Sequence, residues 1–267
     1  MKNPTGIISA LKENIALPDG LENLRNRYKA AKPFPHIIID DLFPVDLIED
    51  LAREIPPLTS DCWVRFNDEN LKQMNLRSPV HLGETGFRLT AFLHSAGFLY
   101  FLSELTGIGE LLPDPYLQGA GYHVLPQGGK FDVHVDRNTA YETGLTRRLA
   151  LMTYLNKSWK HEYGGQLELW SSGASRCEVV VEPIFNRTII FKVDDQNFHG
   201  VPNRVTCPEG RSRNSFVVYY HTAGVKDITP HPSIYATNRK KWTLRRTIKE
   251  MTPPILLRGL RKLRKAK

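Results

Sequence analysis

Two side chains in one short stretch of this sequence, those of His134 and Asp136, could bind a metal ion together. Residues 131–136 read Phe-Asp-Val-His-Val-Asp, and this alternation of apolar and polar residues predicts a β-strand. Successive side chains of a strand point to opposite sides, so we expect the three polar residues on one face and the three apolar residues, Phe131 included, on the other. A histidine and a carboxylate that share a strand face two residues apart can ligate the same ion.

A candidate third ligand, His199, lies 63 residues beyond Asp136 and follows the predicted strand of residues 187–193. Two imidazoles and one carboxylate, with the other coordination positions open, form the ligand set used for non-haem Fe(II). The open positions would take a co-substrate and dioxygen. The sequence therefore predicts an iron site built from these three residues.

Arg213 and Ser215 open another predicted strand, and their spacing places them on the same face of it. A guanidinium group beside a hydroxyl group is a good receptor for a carboxylate, because arginine binds carboxylates bidentately. A ligand held by iron at one end and by arginine at the other fits 2-oxoglutarate. Arg211 is a competing candidate, and the shared strand face with Ser215 favours Arg213.

The elements that must position these residues are mostly short strands. From Tyr116 onward, strand-like runs alternate with turns, which favours a mainly β sandwich, jelly roll or barrel over a parallel α/β sheet. The part before Tyr116 is predicted to contain a helical segment in 1–32, a strand at His36–Ile39, a helix after Pro44, an irregular polar stretch over 58–90 and a helix at Phe98–Thr106.

In these same stretches the sequence resembles the Fe(II)/2-oxoglutarate-dependent oxygenases, specifically the prolyl 4-hydroxylase-like branch. The similarity covers roughly Pro33 to Thr222. It rests on the shared order and spacing of PFPHIIIDDLFP, FLSELTGIGELLPDPYLQGAGYHVLPQGGKFDVHVD, RRLALMTYLNKSW, YGGQLELW, FNRTIIFKVDDQNFHGVP and RSRNSFVVYY.

The resemblance implies a fold and a set of site residues. The fold is a double-stranded β-helix, or jelly roll, flanked by helices, with iron at its mouth. The implied metal ligands are His134, Asp136 and His199, and the implied 2-oxoglutarate contacts are Arg213, Ser215, Tyr154 and Tyr122. Tyr154 could instead be a core tyrosine with a backbone partner. The loop at 125–130 does not align cleanly, so Tyr122 is only the nearest candidate for its position.

The implied activity is hydroxylation of an unactivated C–H bond, with release of succinate and CO2 and with ascorbate as an optional further cofactor. Related halogenases have a small non-ligating residue at the position of Asp136, so an aspartate there argues for hydroxylation. The substrate stays open between a prolyl group in a protein, a small metabolite and a glycan. The implied domains are an N-terminal helical segment (1–32), the dioxygenase jelly roll (33–226) and a basic helical tail (227–267).

Two other functions remain alternatives. A non-catalytic jelly roll could bind a metal or a sugar, because such modules share the architecture. A nucleic-acid oxidative demethylase is the second, but the charge distribution argues against an extended basic groove. Residues 239–267 hold twelve Lys and Arg and one Glu, and subtracting their net charge of +11 from the total of +8 leaves the rest of the chain at −3.

The basic tail itself has two interpretations. Leu256, Leu260 and Leu263 form one stripe of a predicted helix, which could pack on the domain with a solvated charged face or lie on an anionic membrane surface. Three widely spaced cysteines give no disulfide framework, and the N-terminal residues lack a secretory signal pattern. We therefore expect a cytoplasmic protein, peripheral at a membrane if the tail binds one, and the sequence does not determine its oligomeric state.

Overall fold

The computed structural model describes residues 15–16, 20–225 and 228–236, and this part of the chain is mainly β with flanking helices. The tail helices predicted within 239–267 lie outside the described residues. The α-helices are α1 (Gly20–Ala30), α2 (Val45–Arg53), α3 (Glu84–Leu93) and α4 (Ala96–Thr106). The strands are β1 (His36–Ile39), β2 (Trp63–Asn67), β3 (Leu71–Leu76), β4 (Gly121–Pro126), β5 (Lys130–Val135), β6 (Thr146–Tyr154), β7 (Leu167–Trp170), β8 (Cys177–Val181), β9 (Thr188–Lys192), β10 (Phe198–Val201), β11 (Ser212–Thr222) and β12 (Ile234–Tyr235).

The strands form one antiparallel sheet that curls back on itself. Its order is β1-β9-β6-β11-β4-β3-β5-β10-β7-β8, with β2 paired to β3 and β12 paired to β5. Phe191 of β9 and His199 of β10 are separated by five strands in this order, yet their ring centroids lie 4.7 Å apart. The curl therefore brings the two halves of the sheet face to face and encloses the space between them.

The helices cover the outer face of the sheet. Phe98 of α4 is fully buried and packs on Tyr220 of β11, with 6.4 Å between ring centroids. Helix α4 begins where the Ser95 hydroxyl accepts a hydrogen bond from the Phe98 amide, and it ends at Gly107, whose φ of +74° favours glycine. Strand β11 is thus buried on both faces, with even-numbered residues toward the helices and odd-numbered residues toward the enclosed space.

The prediction of an irregular stretch over 58–90 is wrong. This region contains the β2–β3 hairpin, and helix α3 begins at Glu84. Polar residues such as Gln73 and Asn75 lie on β3 because that strand faces a polar cavity, so their polarity does not indicate a loop. The other predicted elements between Gly20 and Thr222 are confirmed, with β10 as an additional strand.

The predicted alternation along β5 is wrong at its start because the pairing with β10 contains a bulge. His199 pairs with His134 and Val201 pairs with Phe131, so Gly200 alone lies opposite two residues of β5. The extra residue turns Phe131 onto the face of His134, and the two rings stack with 3.8 Å between centroids. Asp132, predicted to share the face of His134, instead pairs with Lys130 at 2.9 Å.

Replacing Gly200 by alanine is expected to destabilise the protein by about 1–3 kcal/mol, because the new methyl group would overpack this bulge. An added Cβ would lie 2.8 Å from the Phe131 carbonyl oxygen and 2.9 Å from backbone atoms of Val133. Urea unfolding measures the loss. Gly109→Ala is the matched control, since a Cβ there meets nothing within 4 Å. Equal unfolding midpoints for the two variants would contradict the steric role of Gly200.

The predicted start of the tail at 227 needs a correction. Ile234 and Tyr235 form β12, which pairs with Val135 and His134 on β5. Residues 228–236 are anchored to the domain as well, because Asn138 donates a hydrogen bond to the Thr229 carbonyl at 3.0 Å. The first described residues of the tail therefore belong to the sheet. Among the described residues, no helix has the length and apolar character needed to cross a membrane.

Candidate metal centre

The structure brings the three predicted metal ligands together inside the curled sheet. His134 lies in β5, Asp136 follows the last residue of that strand, and His199 lies on the neighbouring β10 rather than in a turn. The three residues are only 1%, 5% and 6% exposed, respectively. Each offers a ligand atom, and these atoms all lie within 4.8 Å of one another. This spacing allows one ion to contact all three side chains.

Backbone carbonyl groups fix the orientation of both imidazole rings. The Nδ1–H of His134 donates to the Asp132 carbonyl at 2.8 Å, and that of His199 donates to the Asn197 carbonyl at 3.1 Å. These bonds set the tautomer and leave the Nε2 lone pairs directed toward Asp136, at 3.4 Å and 3.7 Å from its two carboxylate oxygens. Both rings are therefore oriented as metal ligands.

Electrostatics keep this donor set in the protonation states that a metal requires. Burial of Asp136 acts to raise its pKa, but His199 and His134, which are positively charged when protonated at low pH, together with Arg147 outweigh burial and hold that pKa well below its usual range. Burial lowers the pKa of His199 to about 4, against the opposing charge of Asp136. At neutral pH the site thus presents an ionised carboxylate beside a neutral imidazole.

Two buried atoms of the site lack hydrogen-bond partners, namely Nε2 of His134 and Oδ2 of Asp136. Unpartnered buried polar atoms are costly, and both of these face the point between the three side chains. A divalent cation would satisfy them, and two imidazoles with one carboxylate suit Fe(II). The residues present therefore fit the predicted iron.

The predicted carboxylate receptor lies on the inner faces of β6 and β11. Arg213 is buried, donates from Nε to the Gly165 carbonyl at 2.8 Å, and has an Nη2 atom 3.4 Å from the Tyr154 hydroxyl. Ser215 pairs directly with Tyr154 across the two strands, and its buried hydroxyl has no hydrogen-bond partner. Arginine, tyrosine and serine thus converge as donors, and no carboxylate among the described residues forms an ion pair with Arg213.

Arg211, the competing arginine, lies elsewhere. Its guanidinium group donates to the Lys157 carbonyl at 2.7 Å and lies over the rings of Trp159 and Tyr163 near the surface. Arg213 instead shares the inner face of the sheet with Ser215, as predicted from strand parity. The geometry therefore favours Arg213 as the receptor.

The prediction of Tyr122 as a 2-oxoglutarate contact is wrong, because its side chain points away from the enclosed space. Tyr122 pairs with Phe216 on the helix-facing side of the sheet, and its hydroxyl donates to the Leu51 carbonyl at 2.9 Å. The next residue, His123, pairs with Ser215 and lines the cavity. Burial lowers the pKa of His123 to about 4, so this imidazole is neutral at pH 7.

We expect Tyr122→Phe to leave the affinity for 2-oxoglutarate unchanged and to lower stability by about 0.5–1.5 kcal/mol, the usual net value of one hydrogen bond. The reason is that the variant loses only the bond to Leu51. Thermal unfolding measures the change in stability, and a 2-oxoglutarate titration of the metal-loaded protein measures the affinity. A large rise in the 2-oxoglutarate concentration at half-saturation would show that Tyr122 does contact 2-oxoglutarate.

A cavity of about 630 Å³ opens beside Asp136. Its walls come from the β2–β3 hairpin, the turn at 116–119, the loop at 137–142 and β12. Tyr219 of β11 and Tyr235 of β12 lie in the wall, and the Tyr235 ring is 6.0 Å from that of His134. The cavity therefore connects the metal centre, at Asp136, with the surface of the protein.

Sequence reasoning missed one buried charged residue of this cavity, Arg147. Every second residue of a strand points to the same side, and Tyr154 lies on the inner face of β6. Regular alternation would therefore place Arg148, rather than Arg147, on that face. The pairing of β6 with β11 shifts by one residue beyond Tyr220, so His221 pairs with Arg147 and skips Arg148. The bulge thus turns Arg147 inward, and no pattern in the sequence marks it.

The chain was compared with known proteins. Residues 118–221 match the family model of the 2OG-Fe(II) oxygenase superfamily. A prolyl 3,4-dihydroxylase, OGFOD1, of Ostreococcus tauri is 26% identical over 225 residues, which cover 76% of this chain. The chain spans only 40% of the length of that relative.

Two solved structures share the fold. A prolyl-4-hydroxylase of Pseudomonas putida superposes with a TM-score of 0.54 at 17% identity, covering 77% of this chain and 100% of the other. A prolyl hydroxylase of Trichoplax adhaerens, bound to a peptide fragment of hypoxia inducible factor, gives a TM-score of 0.56 at 17% identity, covering 82% and 94%. The predicted mainly β jelly-roll fold is confirmed.

Proposed function

We propose that this chain, whose residues 118–221 match the 2OG-Fe(II) oxygenase superfamily, hydroxylates an unactivated C–H bond with Fe(II), 2-oxoglutarate and dioxygen. The observation that carries this proposal is the pairing of two sites on the inner surface of one curled sheet. The ligand triad of His134, Asp136 and His199 lies at the cavity, and the acid-free donor cluster of Arg213 and Ser215 lies on the facing strands.

Each residue of the site has a role in this proposal. His134, Asp136 and His199 would hold Fe(II), at which dioxygen and 2-oxoglutarate would supply the oxidising chemistry: one oxygen atom enters the substrate, the other enters succinate, and CO2 is released. Arg213 binds the distal carboxylate of the co-substrate, and the Ser215 and Tyr154 hydroxyls donate to the same group. Asp136 occupies a coordination position that a halide would need, which favours hydroxylation.

The surrounding aromatic side chains would protect the chemistry from water. Phe131 stacks on His134, and Tyr235 covers the same ring from β12. Its own partial burial, with the nearby charges of Asp68 and Asp132, raises the pKa of the Tyr235 hydroxyl to about 12, so it stays protonated. Aromatic rings on this imidazole reduce the access of water to the reacting centre and keep the imidazole in place.

We assign a prolyl group in a peptide or protein as the substrate. Support comes from the similar proteins, which are a prolyl 3,4-dihydroxylase and two prolyl hydroxylases, one of them bound to a peptide. The cavity, of about 630 Å³, is lined by aromatic residues, including Phe66, Tyr116 and Tyr219, that can pack on a pyrrolidine ring. A small metabolite and a glycan are the competing substrates.

Oxygen-dependent succinate formation tests the proposal. The protein is loaded anaerobically with Fe(II) and 2-oxoglutarate, mixed with panels of prolyl peptides, glycans and small metabolites, and then exposed to oxygen. Succinate above the level made by His199→Ala, together with a substrate mass increase of one oxygen atom, supports hydroxylation. A protein that binds 2-oxoglutarate but forms no succinate with any panel would be a non-catalytic module.

A further inference from the structure

Arg147 is a buried cation of the cavity that the proposed function leaves without a role. It is 6% exposed, and its guanidinium carbon lies 3.6 Å from the centroid of the Tyr219 ring. One Nη donates to the Gln118 carbonyl at 3.0 Å, whereas Nε is buried with no hydrogen-bond partner. Among the described residues no carboxylate forms an ion pair with Arg147. A buried guanidinium group without an acid is costly unless a ligand supplies the anion.

The charges around Arg147 also favour an anion. Arg77 and Arg137 line the same cavity, and the acidic residues of its wall are Asp136 and Glu142. Under the proposed function, the charges of Fe(II), Asp136, dianionic 2-oxoglutarate and Arg213 cancel one another. Three arginines then face a single exposed carboxylate, that of Glu142, and the cavity keeps a positive excess.

The co-substrate is held away from Arg147, because Arg213 lies near the start of β11 whereas Arg147, on β6, pairs with His221 near the end of β11. Arg213 and Ser215 are near its start, whereas Tyr219, on which Arg147 stacks, is six residues beyond Arg213. Six residues of an extended strand span about 20 Å between their Cα atoms. A five-carbon dicarboxylate bound by Arg213 therefore leaves Arg147 free for a different ligand.

We propose that Arg147 binds a carboxylate of the substrate and so positions the C–H bond at the metal centre. The inference rests on the proposed function and specifies the substrate class as a carboxylate-bearing one. Stacking on Tyr219 holds the guanidinium plane in place, which leaves Nε and the remaining N–H groups to bind two carboxylate oxygens. Arg137, which lies over Tyr141 nearer the cavity mouth, adds a longer-range attraction.

The carboxylate could come from a free acid or from an acidic side chain next to the target residue, and two matched pairs of probes distinguish these sources. One pair is N-acetyl-L-proline and N-acetyl-L-prolinamide. The other is N-acetyl-Glu-Pro-amide and N-acetyl-Gln-Pro-amide. Binding is measured by ligand-observed NMR on protein loaded with Zn(II) and 2-oxoglutarate, which does not turn over.

In at least one pair the acid is expected to bind more tightly than its amide by about tenfold or more, the usual effect of a hydrogen-bonded charge. The pair that shows this preference identifies the source of the carboxylate. Arg147→Gln is expected to bring the two affinities to within about twofold, because only the shared contacts remain. Arg88→Gln, at an exposed position of α3 outside the cavity wall, should keep the full preference.

Equal affinities within both pairs, or no binding by any of the four compounds, would overturn the carboxylate site. A preference for the acid over the amide that remains in Arg147→Gln would also overturn it. The wild-type comparison needs no variant and stays decisive if Arg147→Gln fails to fold. The proposed function has its own readout, which is succinate formation by the Fe(II)-loaded protein. If succinate forms but acids and amides are used equally well, the hydroxylase function stands and only the carboxylate site is overturned.

Discussion

Replacing His199 by alanine is expected to weaken metal binding by more than about 100-fold and to abolish 2-oxoglutarate turnover, since loss of an outer-shell partner alone costs 10–100-fold. The variant removes one of three ligands and leaves His134 and Asp136, too few to hold an ion against water. Anaerobic titration with Fe(II) measures the affinity directly.

Stability gives a second readout that does not depend on turnover. Metal at about 100 times its dissociation constant should stabilise the wild-type protein by about 2.7 kcal/mol, and the same concentration should stabilise His199→Ala by less than about 0.4 kcal/mol. His161→Ala is the matched control, because that histidine lies at the surface with its side chain 83% exposed. Wild-type metal affinity in His199→Ala would show that the ligand assignment is incorrect.

Replacing Arg213 by lysine or glutamine is expected to raise the 2-oxoglutarate concentration at half-saturation by about 10–150-fold, the equivalent of a charged hydrogen bond of 1.5–3 kcal/mol. Lysine keeps the charge but cannot reproduce the planar bidentate contact, so we expect it to lie at the lower end of this range. Metal affinity should be unchanged, because the triad is built from other strands.

Arg211→Lys is the control for this prediction, since Arg211 binds the Lys157 carbonyl near the surface. If Arg211→Lys raises the half-saturation concentration and Arg213→Lys does not, the co-substrate site lies at the surface cluster instead. Thermal unfolding without 2-oxoglutarate separates lost binding from lost folding, because Arg213 also holds the Gly165 carbonyl.

The ligand triad and the placement of Arg213 beside Ser215 could be predicted because they depend mainly on local geometry. His134 and Asp136 are two residues apart, and the parity of a strand places both on one side. The same parity correctly groups Arg213 with Ser215 on the inner face and excludes Arg211. The third ligand, His199, was predicted from its position 63 residues beyond Asp136 and after a predicted strand. The sequence did not predict β10, the strand on which His199 lies.

Strand pairing, which the sequence does not specify, decided the other positions. Parity predicts Arg148 and the polar side chain of Asp132 inside, yet bulges on β6 and β5 place Arg147 and Phe131 there. A bulge depends on which residue lies opposite, here Gly200 for β5, and the partner strand is far away in the chain. His123 replaces Tyr122 in the cavity for a similar reason, because its pairing with Ser215 sets the face.

The sequence by itself determined which residues form the metal-ligand triad and the mainly β jelly-roll fold that holds them. Only the tertiary structure decided the wall of the cavity, where Arg147, Tyr219 and Tyr235 meet from three different strands. The physical reason is the distance along the chain between the residues that interact. Ligand spacing follows from the two-residue repeat of a strand, whereas the cavity wall is set by sheet curl, bulges and packing between residues distant in sequence.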